Sequence, residues 1–557
     1  MRNTLNSTRL SLLLLLLLAL ALPGVAEGDI ATDLSGNLQA ADPAAVDAMG
    51  YDSEAPLDEP PQEIPAYSAL TADADVVIGY IAPAGASLNP TSCIETSLVS
   101  LNQLIYESVV DLDAGMKPAP MLADSWEHEG KTWTFKLRSG VMFHNGAEMT
   151  ALDVVRSWET FISSYVDNPY FSRMQAISSM EATDIYTLQV IGQTAGMATL
   201  YAMNFPVMQY NTLADPVPRG SGPYWYIGRD DADNIRLEAN PLWWKKQPLI
   251  HSILFKRYDD AGDAIQAVQT NQIDLVATIS PKAAFSRKLA DLTSMDYPTL
   301  TYEMLIPNLS DSSIMSDIRM RQAVMYAIDR SVIASNAYLD MAVQCEVPVQ
   351  PSCWLYESQS AIYYYSPERA LQLLNSMGWY DLTGNGRLNK IEGRLLREPS
   401  VTIVTYNEST NSIRENAANL IAAYLEAVGV NAKVSVMSQS RLRENIKARS
   451  YDLALVGVNL SEVPNMSAIF GRGASLNLNG FGNDNMEMYL QQATAAGDET
   501  LLKSAFSEMQ MYVVNRLPIM GLLFRTGTVL SNRSLGGLSA LRLYDALNGF
   551  EFLTGEQ

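Results

Sequence analysis

Histidine and cysteine are scarce in this chain, with three of each in 557 residues. His128, His144 and His251 are scattered, and no HExxH or CxxC spacing joins them to one another or to a cysteine. A zinc or haem centre therefore lacks a ligand set. There is no G-x-S-x-G elbow, no P-loop and no G-x-G-x-x-G after a strand, so nothing nominates a nucleophile or a phosphate cradle. Acidic doublets such as Asp230–Asp231 and Asp259–Asp260 read as solvated turns rather than acid–base pairs. His144, in FHNG, reads as a turn residue. Cations are also in deficit: 38 Lys and Arg face 61 Asp and Glu, a formal charge of −23. That balance argues against broad nucleic-acid or anionic-membrane binding, since both need a basic face.

Long apolar runs are absent except one. LSLLLLLLLALAL, residues 10 to 22, follows Arg2 and Arg9 and precedes the small residues Gly24 and Ala26. A basic start, a short apolar core and a small-residue exit describe a secretory signal peptide over 1–26. The run is short for a membrane span, and an uncleaved anchor is the alternative. No Cys follows it, so a lipid-anchored form has no attachment point. Residues 27–69 are acidic, rich in Ala and Pro, and free of Lys and Arg to residue 66. That composition predicts a flexible linker. The reading is of an exported protein, soluble after cleavage, in the periplasm or cell envelope.

The remaining chain is long enough for two or three domains. Apolar spacing predicts a strand at DVVIGYI, a helix over SLVSLNQLIYESVVDL, a strand at KTWTFKLR and a turn at HNGAEM. TALDVVRSWETFI reads as a helix capped by Thr150 with Asp153 at the capping-box position. DIYTLQVIG reads as a strand, DAIQAVQTNQ as a helix and IDLVATI as a strand. SDIRMRQAVMYAIDRSVIASNAY predicts one long amphipathic helix. Beyond it, helices and apolar strands alternate to YDLALVGV, which implies α/β layers. Cys345 and Cys353 bracket EVPVQPS; a bridge there would close a small ring and leave Cys93 as a buried hydrophobe. The aromatic runs PLWWKKQP, YWYI and IYYYSP are either core packing or the wall of a cleft for an organic ligand.

Five ordered stretches carry a resemblance. They are LIYESVV through PAPMLADSWEHEGKTWTFKLRSGVMFHNGAEMTALDVVRSWE, GSGPYWYIGRDDADNIRLEANPLWW, QTNQIDLVATI, SDIRMRQAVMYAIDRSVI, and MGWYDLTGNGRLNKIEGRLLREPSVTIVTYN. Together they resemble the bacterial extracellular solute-binding proteins of family 5, the oligopeptide-, dipeptide- and nickel-binding receptors of ABC importers. The resemblance implies two α/β lobes of the periplasmic-binding-protein fold (cluster C type), a hinge between them and an extra inserted domain. Domain I would comprise 70–112, 216–310 and 521–550, domain II 113–215 and domain III 311–520, with hinges near Pro307 and Leu522. Function would be capture, not catalysis: cargo touching both lobes favours the closed form, which a membrane permease recognises. The chain would work as a monomer, with no cofactor required and no nucleic-acid partner.

The resemblance also nominates ligand contacts. Peptide binders of the family hold the cargo ammonium with an Asp in a G-W…D-x-P segment. The corresponding stretch is LVGVNLSEVPNMSAIF, where Val458 or Asn459 replaces the Trp and Glu462 replaces the Asp. Glu462 is then either an ammonium anchor or an exposed loop acid. Asn459 and Asn465 flank it, and Asn89 adds a first-lobe contact. The dipeptide subgroup holds the cargo carboxylate with an Arg that VTIVTYN lacks; Arg414 is the substitute, or a solvated helix-start Arg. Longer peptides are favoured over dipeptides, and an oligosaccharide or small organic solute is the alternative cargo. A secreted hydrolase is the remaining reading, with no residue to carry it.

DLTGNGRLNKIEG, from Asp381, nearly fits a calcium loop, with Asp381, Thr383, Asn385 and Glu392 at ligand positions. A helix precedes it, but turn and strand follow, so a paired helix–loop–helix is missing. The expectation is a tight turn needing Gly384 and Gly386, with a single structural calcium, or a calcium-responsive secreted protein, as its alternatives.

Overall fold

The computed structural model describes residues 74–164, 167–408 and 412–553. The signal segment 1–26 and the linker 27–69 lie outside them. β1 (Val76–Ile81) leads to the helix Thr96–Asn102 and the short pair β2 (Val110–Leu112) and β3 (Pro118–Pro120). The spacing over 97–112 predicts one helix, but only its first part is helical. The carbonyls of Leu104 and Ile105 instead accept from the N–H groups of Tyr224 and Gly222, at 3.0 and 2.9 Å. That claim on the backbone ends the helix and docks the GSGPY stretch against it.

An inserted antiparallel sheet follows, ordered β4 (Ala123–Glu129), β5 (Thr132–Leu137), β7 (Thr187–Gly192), β6 (Ile177–Asp184). The helix Ala151–Ile162 packs on it, and Asp153 accepts from the Thr150 backbone N–H at 2.9 Å, as the capping box requires. Three antiparallel strands return to the first unit: β8 (Tyr224–Arg229), β9 (Ile235–Ala239) and β10 (Ser252–Tyr258). Then come the helix Ala261–Gln269, β11 (Leu275–Thr278) and the long β12 (Thr293–Pro307).

The predicted long helix over 316–338 is two helices, Ile318–Ala327 and Arg330–Asn336. Ile328 is extended, and the Asp329 carboxylate accepts from Ser331 N and Val332 N. Asp329 thus starts a second helix where apolar spacing alone continues the first. β13 (Ala342–Gln344) precedes the helix Pro367–Ser376, with Pro367 in its first turn. A hairpin of β14 (Lys390–Glu392) and β15 (Leu395–Arg397) leads into β16 (Ser400–Tyr406), β17 (Asn431–Met437) and β18 (Leu453–Asn459), joined by the helices Ile413–Ala427 and Gln439–Lys447. The long helix Glu499–Arg516 ends at β19 (Met520–Ser531).

Eleven strands form one continuous sheet, ordered β17-β16-β18-β12-β19-β11-β1-β10-β9-β8, with β13 also on β19. β12 and β19 run through both lobes. β12 residues 301–307 pair with β18, whereas β19 residues 528–531 pair with β11. Between these stretches, register along β12 shifts between Pro298 and Tyr302. Pairing partners change along β12 around that shift, and Pro307 pairs with Leu453 of β18. Below, the first lobe is the β11 side with its inserted sheet, and the second is the β18 side.

The Asp381 turn is braced by its own backbone. The Asp381 carboxylate accepts from Gly384 N at 2.7 Å, Asn385 N at 3.2 Å and Gly386 N at 2.9 Å. These amides hold its carboxyl below the usual range. Gly384 and Gly386 have φ of +73° and +81°, a region other residues avoid. Glu392 lies on β14 opposite Leu395, 3.9 Å from Arg397. Among the described residues, no three His, Cys, Asp or Glu side chains gather as a metal would need. Cys345 and Cys353 are free thiols; the Cys345 Sγ–H points to the carbonyls of Val347 and Val349, and Cys93 is buried.

Candidate functional site

β18 ends at Asn459, and the chain runs through Glu462 to the helix Ser467–Phe470. This loop faces the first lobe. Glu462 is 8% exposed and forms an ion pair with Arg173, itself 4% exposed, from the short helix Phe171–Met174. Arg173 donates from Nη1 to the Asn204 carbonyl and Oδ1, each at 2.8 Å, and lies over the Tyr170 ring. Two lobes therefore contribute one partner each to a single buried ion pair.

More charge surrounds it. Arg542 donates to the Leu112 carbonyl and to Asp111, and its Nη2 is 2.9 Å from Asp545. Burial raises the Asp545 carboxyl, against the pull of Arg542. Tyr544 is half-buried and close enough to feel the charges of Glu462 and Arg173. Asp111, Glu462 and Asp545 thus set three carboxylates against two guanidiniums.

The seam continues on both sides. Val463 packs on Leu112 and Tyr201. Trp354 donates its indole N–H to the Tyr201 hydroxyl and its backbone N–H to the Gly115 carbonyl, each at 2.8 Å. Met197 N donates to the Ala496 carbonyl at 3.0 Å. An open groove of about 600 Å³ runs between the lobes, lined by Lys131 and Thr194 on one wall and Arg472, Glu487 and Gln491 on the other.

A second buried cluster lies just past the register shift. Glu303 on β12 is fully buried. It accepts from Arg414 Nε at 3.0 Å and Nη2 at 2.8 Å, and from Arg525 Nε at 2.7 Å. Burial alone would raise its carboxyl, but the two guanidiniums hold it below the usual carboxylate range. Glu408 receives Arg525 Nη2 at 2.8 Å. Gly457 is required here, because a Cβ would come within 2.4 Å of Arg414 Nη2 and 2.7 Å of Glu303 Oε1.

The residues nominated from sequence separate into three places. Glu462, Asn459 and Asn465 share the loop after β18. The Asn459 Oδ1 accepts from the Thr301 hydroxyl beside the register shift, and the Asn465 Oδ1 accepts from Ser467 N. Arg414 is not a solvated helix-start residue; it is buried, and its fork is already engaged by Glu303. Asn89 lies elsewhere in the first lobe, donating to the Leu213 and Asp215 carbonyls and accepting from Thr91. His144 joins its turn to Gly222 O at 3.1 Å, and burial lowers its pKa to about 3. The WW pair serves packing: Trp243 and Trp244 donate their indole N–H groups to buried Glu107. Arg173, Asn204, Arg542 and Asp545 were not apparent in the sequence. Arg173 sits in NPYFSRM, and only its setting among aromatic and apolar residues hinted at burial.

Comparison with known proteins agrees with this architecture. The family model described as "Bacterial extracellular solute-binding proteins, family 5 Middle" matches residues 117–475. The oligopeptide-binding protein AppA of Bacillus subtilis is 23% identical over 468 residues, covering 80% of this chain and 85% of that protein. Heme-binding protein A of Haemophilus influenzae is 24% identical over 512 residues, covering 84% and 90%. The crystal structure of a nickel ABC transporter protein from Bacillus halodurans superposes with a TM-score of 0.72 at 19% identity, covering 87% of this chain and 99% of that one. The fold is that of two-lobed periplasmic binding proteins, and the match spans more than half of the chain. The chain belongs to the bacterial extracellular solute-binding proteins of family 5.

Proposed function

We propose that this chain is the receptor of an ABC importer for oligopeptides, closing its lobes over the cargo and presenting it to a membrane permease outside the cytoplasm. The observation that carries this reading is the buried seam at Glu462, where charges from both lobes meet with one carboxylate in excess. A cargo ammonium would balance that excess, and a buried charge needs such a partner. Glu462 is then the anchor, and Arg173 is the cation with which the ammonium shares or exchanges it. Binding both lobes favours the closed state by the cargo's differential affinity. No nucleophile is involved, so the cargo leaves unchanged.

The test is thermal unfolding with oligopeptide mixtures, because a ligand of the native state raises the transition. A rise is expected; no shift with any peptide library would remove peptides as the cargo class. Glu462→Gln should weaken free-amine peptides more than their N-acetylated forms. Equal losses would take Glu462 out of the anchor role while leaving the cargo class intact.

A further inference from the structure

The turn that resembles a calcium loop carries an unusual surface just beyond it. β14 and β15 form a two-stranded hairpin closed by Gly393 and Arg394, Gly393 having a φ of +64°. The hairpin belongs to no larger sheet. Residues 391–398 are all exposed. Ile391 is 67% exposed, Leu395 58% and Leu396 52%. Ile391 and Leu396 stand directly opposite, on one face, and Leu395 lies on the other. Tyr380 and Leu382, also exposed, join at the base, where Tyr380 bridges to Asn389. A two-stranded hairpin with apolar residues in water on both faces gains nothing from their burial within the chain.

Its charge is opposite to that of the molecule. Residues 387–397 hold Arg387, Lys390, Arg394 and Arg397 against Glu392 alone, a local charge of +3 on a chain of −23, with Glu398 at the base. Asp381, on the preceding turn, is held ionised by three backbone amides, so that with Glu398 also counted residues 381–398 carry +1. Aliphatic side chains interleaved with exposed cations describe an element that rests in the interface of an anionic bilayer. Screening confines the repulsion between the distant acidic surface and the lipid to about 10 Å at moderate salt, so a projecting hairpin engages lipid without the rest of the molecule.

We infer that the β14–β15 hairpin is a membrane-touching element that docks the second lobe on anionic phospholipid headgroups. The basic hairpin complements anionic headgroups; a second copy of this acidic chain would attract it too, and the oligomeric state of a hairpin serine variant separates the two. The occupant is independent of the cargo proposed above.

Co-sedimentation of the full chain with phosphatidylglycerol vesicles, and with phosphatidylcholine vesicles, tests the assignment. Binding to the anionic vesicles that falls as salt rises is expected, with far weaker binding to phosphatidylcholine. Replacing Arg394 and Arg397 together by Glu should weaken partitioning at least about tenfold, because each basic residue near an anionic surface adds to the attraction. Replacing Ile391, Leu395 and Leu396 together by Ser should reduce it as well. Both sets lie on exposed positions, and an unchanged thermal transition confirms their folding. Equal sedimentation of the parent and both variants would place the contact elsewhere, for instance on the apolar segment 10–22, and would overturn the inference. So would no binding to either vesicle, or a parent dimer that the serine variant converts to monomer.

Discussion

Glu303 and Glu462 are both buried carboxylates paired with arginine, yet their mechanical settings differ. Glu303 and Arg414 lie on the second-lobe side of the register shift along β12, and Arg525 lies on β19 opposite the shift, between Phe524 and Thr526. Glu303 and Arg414 therefore stay on one side of any movement between the lobes, with Arg525 at the crossover. Glu462 and Arg173 come from opposite lobes, so opening separates them and returns both to water. A buried pair that stays buried is costly to break, because the survivor keeps its desolvation penalty. A pair that opening can hydrate limits that penalty to the free-energy gap between closed and open states. On the proposed function, the first cluster belongs to stability and the second to the lobe equilibrium.

The largest expected effect therefore comes from Glu303→Gln. It leaves two guanidiniums with Glu408 as their remaining carboxylate and a neutral amide at a fully buried position, and about 3–5 kcal/mol of stability should be lost, read from urea unfolding. A loss under about 1 kcal/mol would mean that water reaches the cluster and the contrast with Glu462 fails.

The pH dependence sharpens the same contrast. The Glu303 carboxyl is held below its ordinary 4.5 in the folded chain by Arg414 and Arg525, although burial acts the other way. A carboxylate depressed on folding stabilises fully above its unfolded value and loses that contribution as pH falls through the folded one. Unfolding free energy of the parent should fall below pH 4.5 more steeply than that of Glu303→Gln. Parallel curves would assign the acid sensitivity to other carboxylates.

Arg173→Met is expected to act on shape more than on stability. Glu462 would be buried without its cation, and the chain escapes that cost by opening at the seam. The radius of gyration in solution scattering should rise, while the urea midpoint shifts by less than that of Glu303→Gln. An unchanged radius with a large midpoint loss would make Arg173–Glu462 a structural pair like the other.

The difference between these clusters also marks what the sequence could show. Alternating strands and helices, the Thr150–Asp153 cap and the Pro367 start were legible because each rests on contacts within a few residues. The helix of 97–112 ended early because Gly222 and Tyr224, more than a hundred residues on, claim its carbonyls. Glu462 was nominated because its loop resembles the family's G-W…D-x-P segment, but Arg173 is 289 positions away and no local pattern joins them. Arg414 looked solvated at its helix start because Glu303, which buries it, lies 111 positions earlier. Local rules read elements well; contacts between the two lobes are written in separations that they do not span.

The smallest effect is expected where the lobes also exchange charge in water. Lys117 on the first lobe and Glu499 on the second are 2.6 Å apart, with side chains 37% and 50% exposed. Opening separates this pair as it separates Arg173 from Glu462, but both members are already hydrated when closed. Such a pair contributes about 0.2–1 kcal/mol and is weakened by salt. Glu499→Gln should therefore raise the radius of gyration slightly at low ionic strength and not at all at high ionic strength. Arg173→Met should raise it under both conditions, because burial shields that pair from added ions. If salt abolishes both effects alike, the seam at Glu462 is wet in solution, and its excess carboxylate is no longer a reason for cargo to bring a cation.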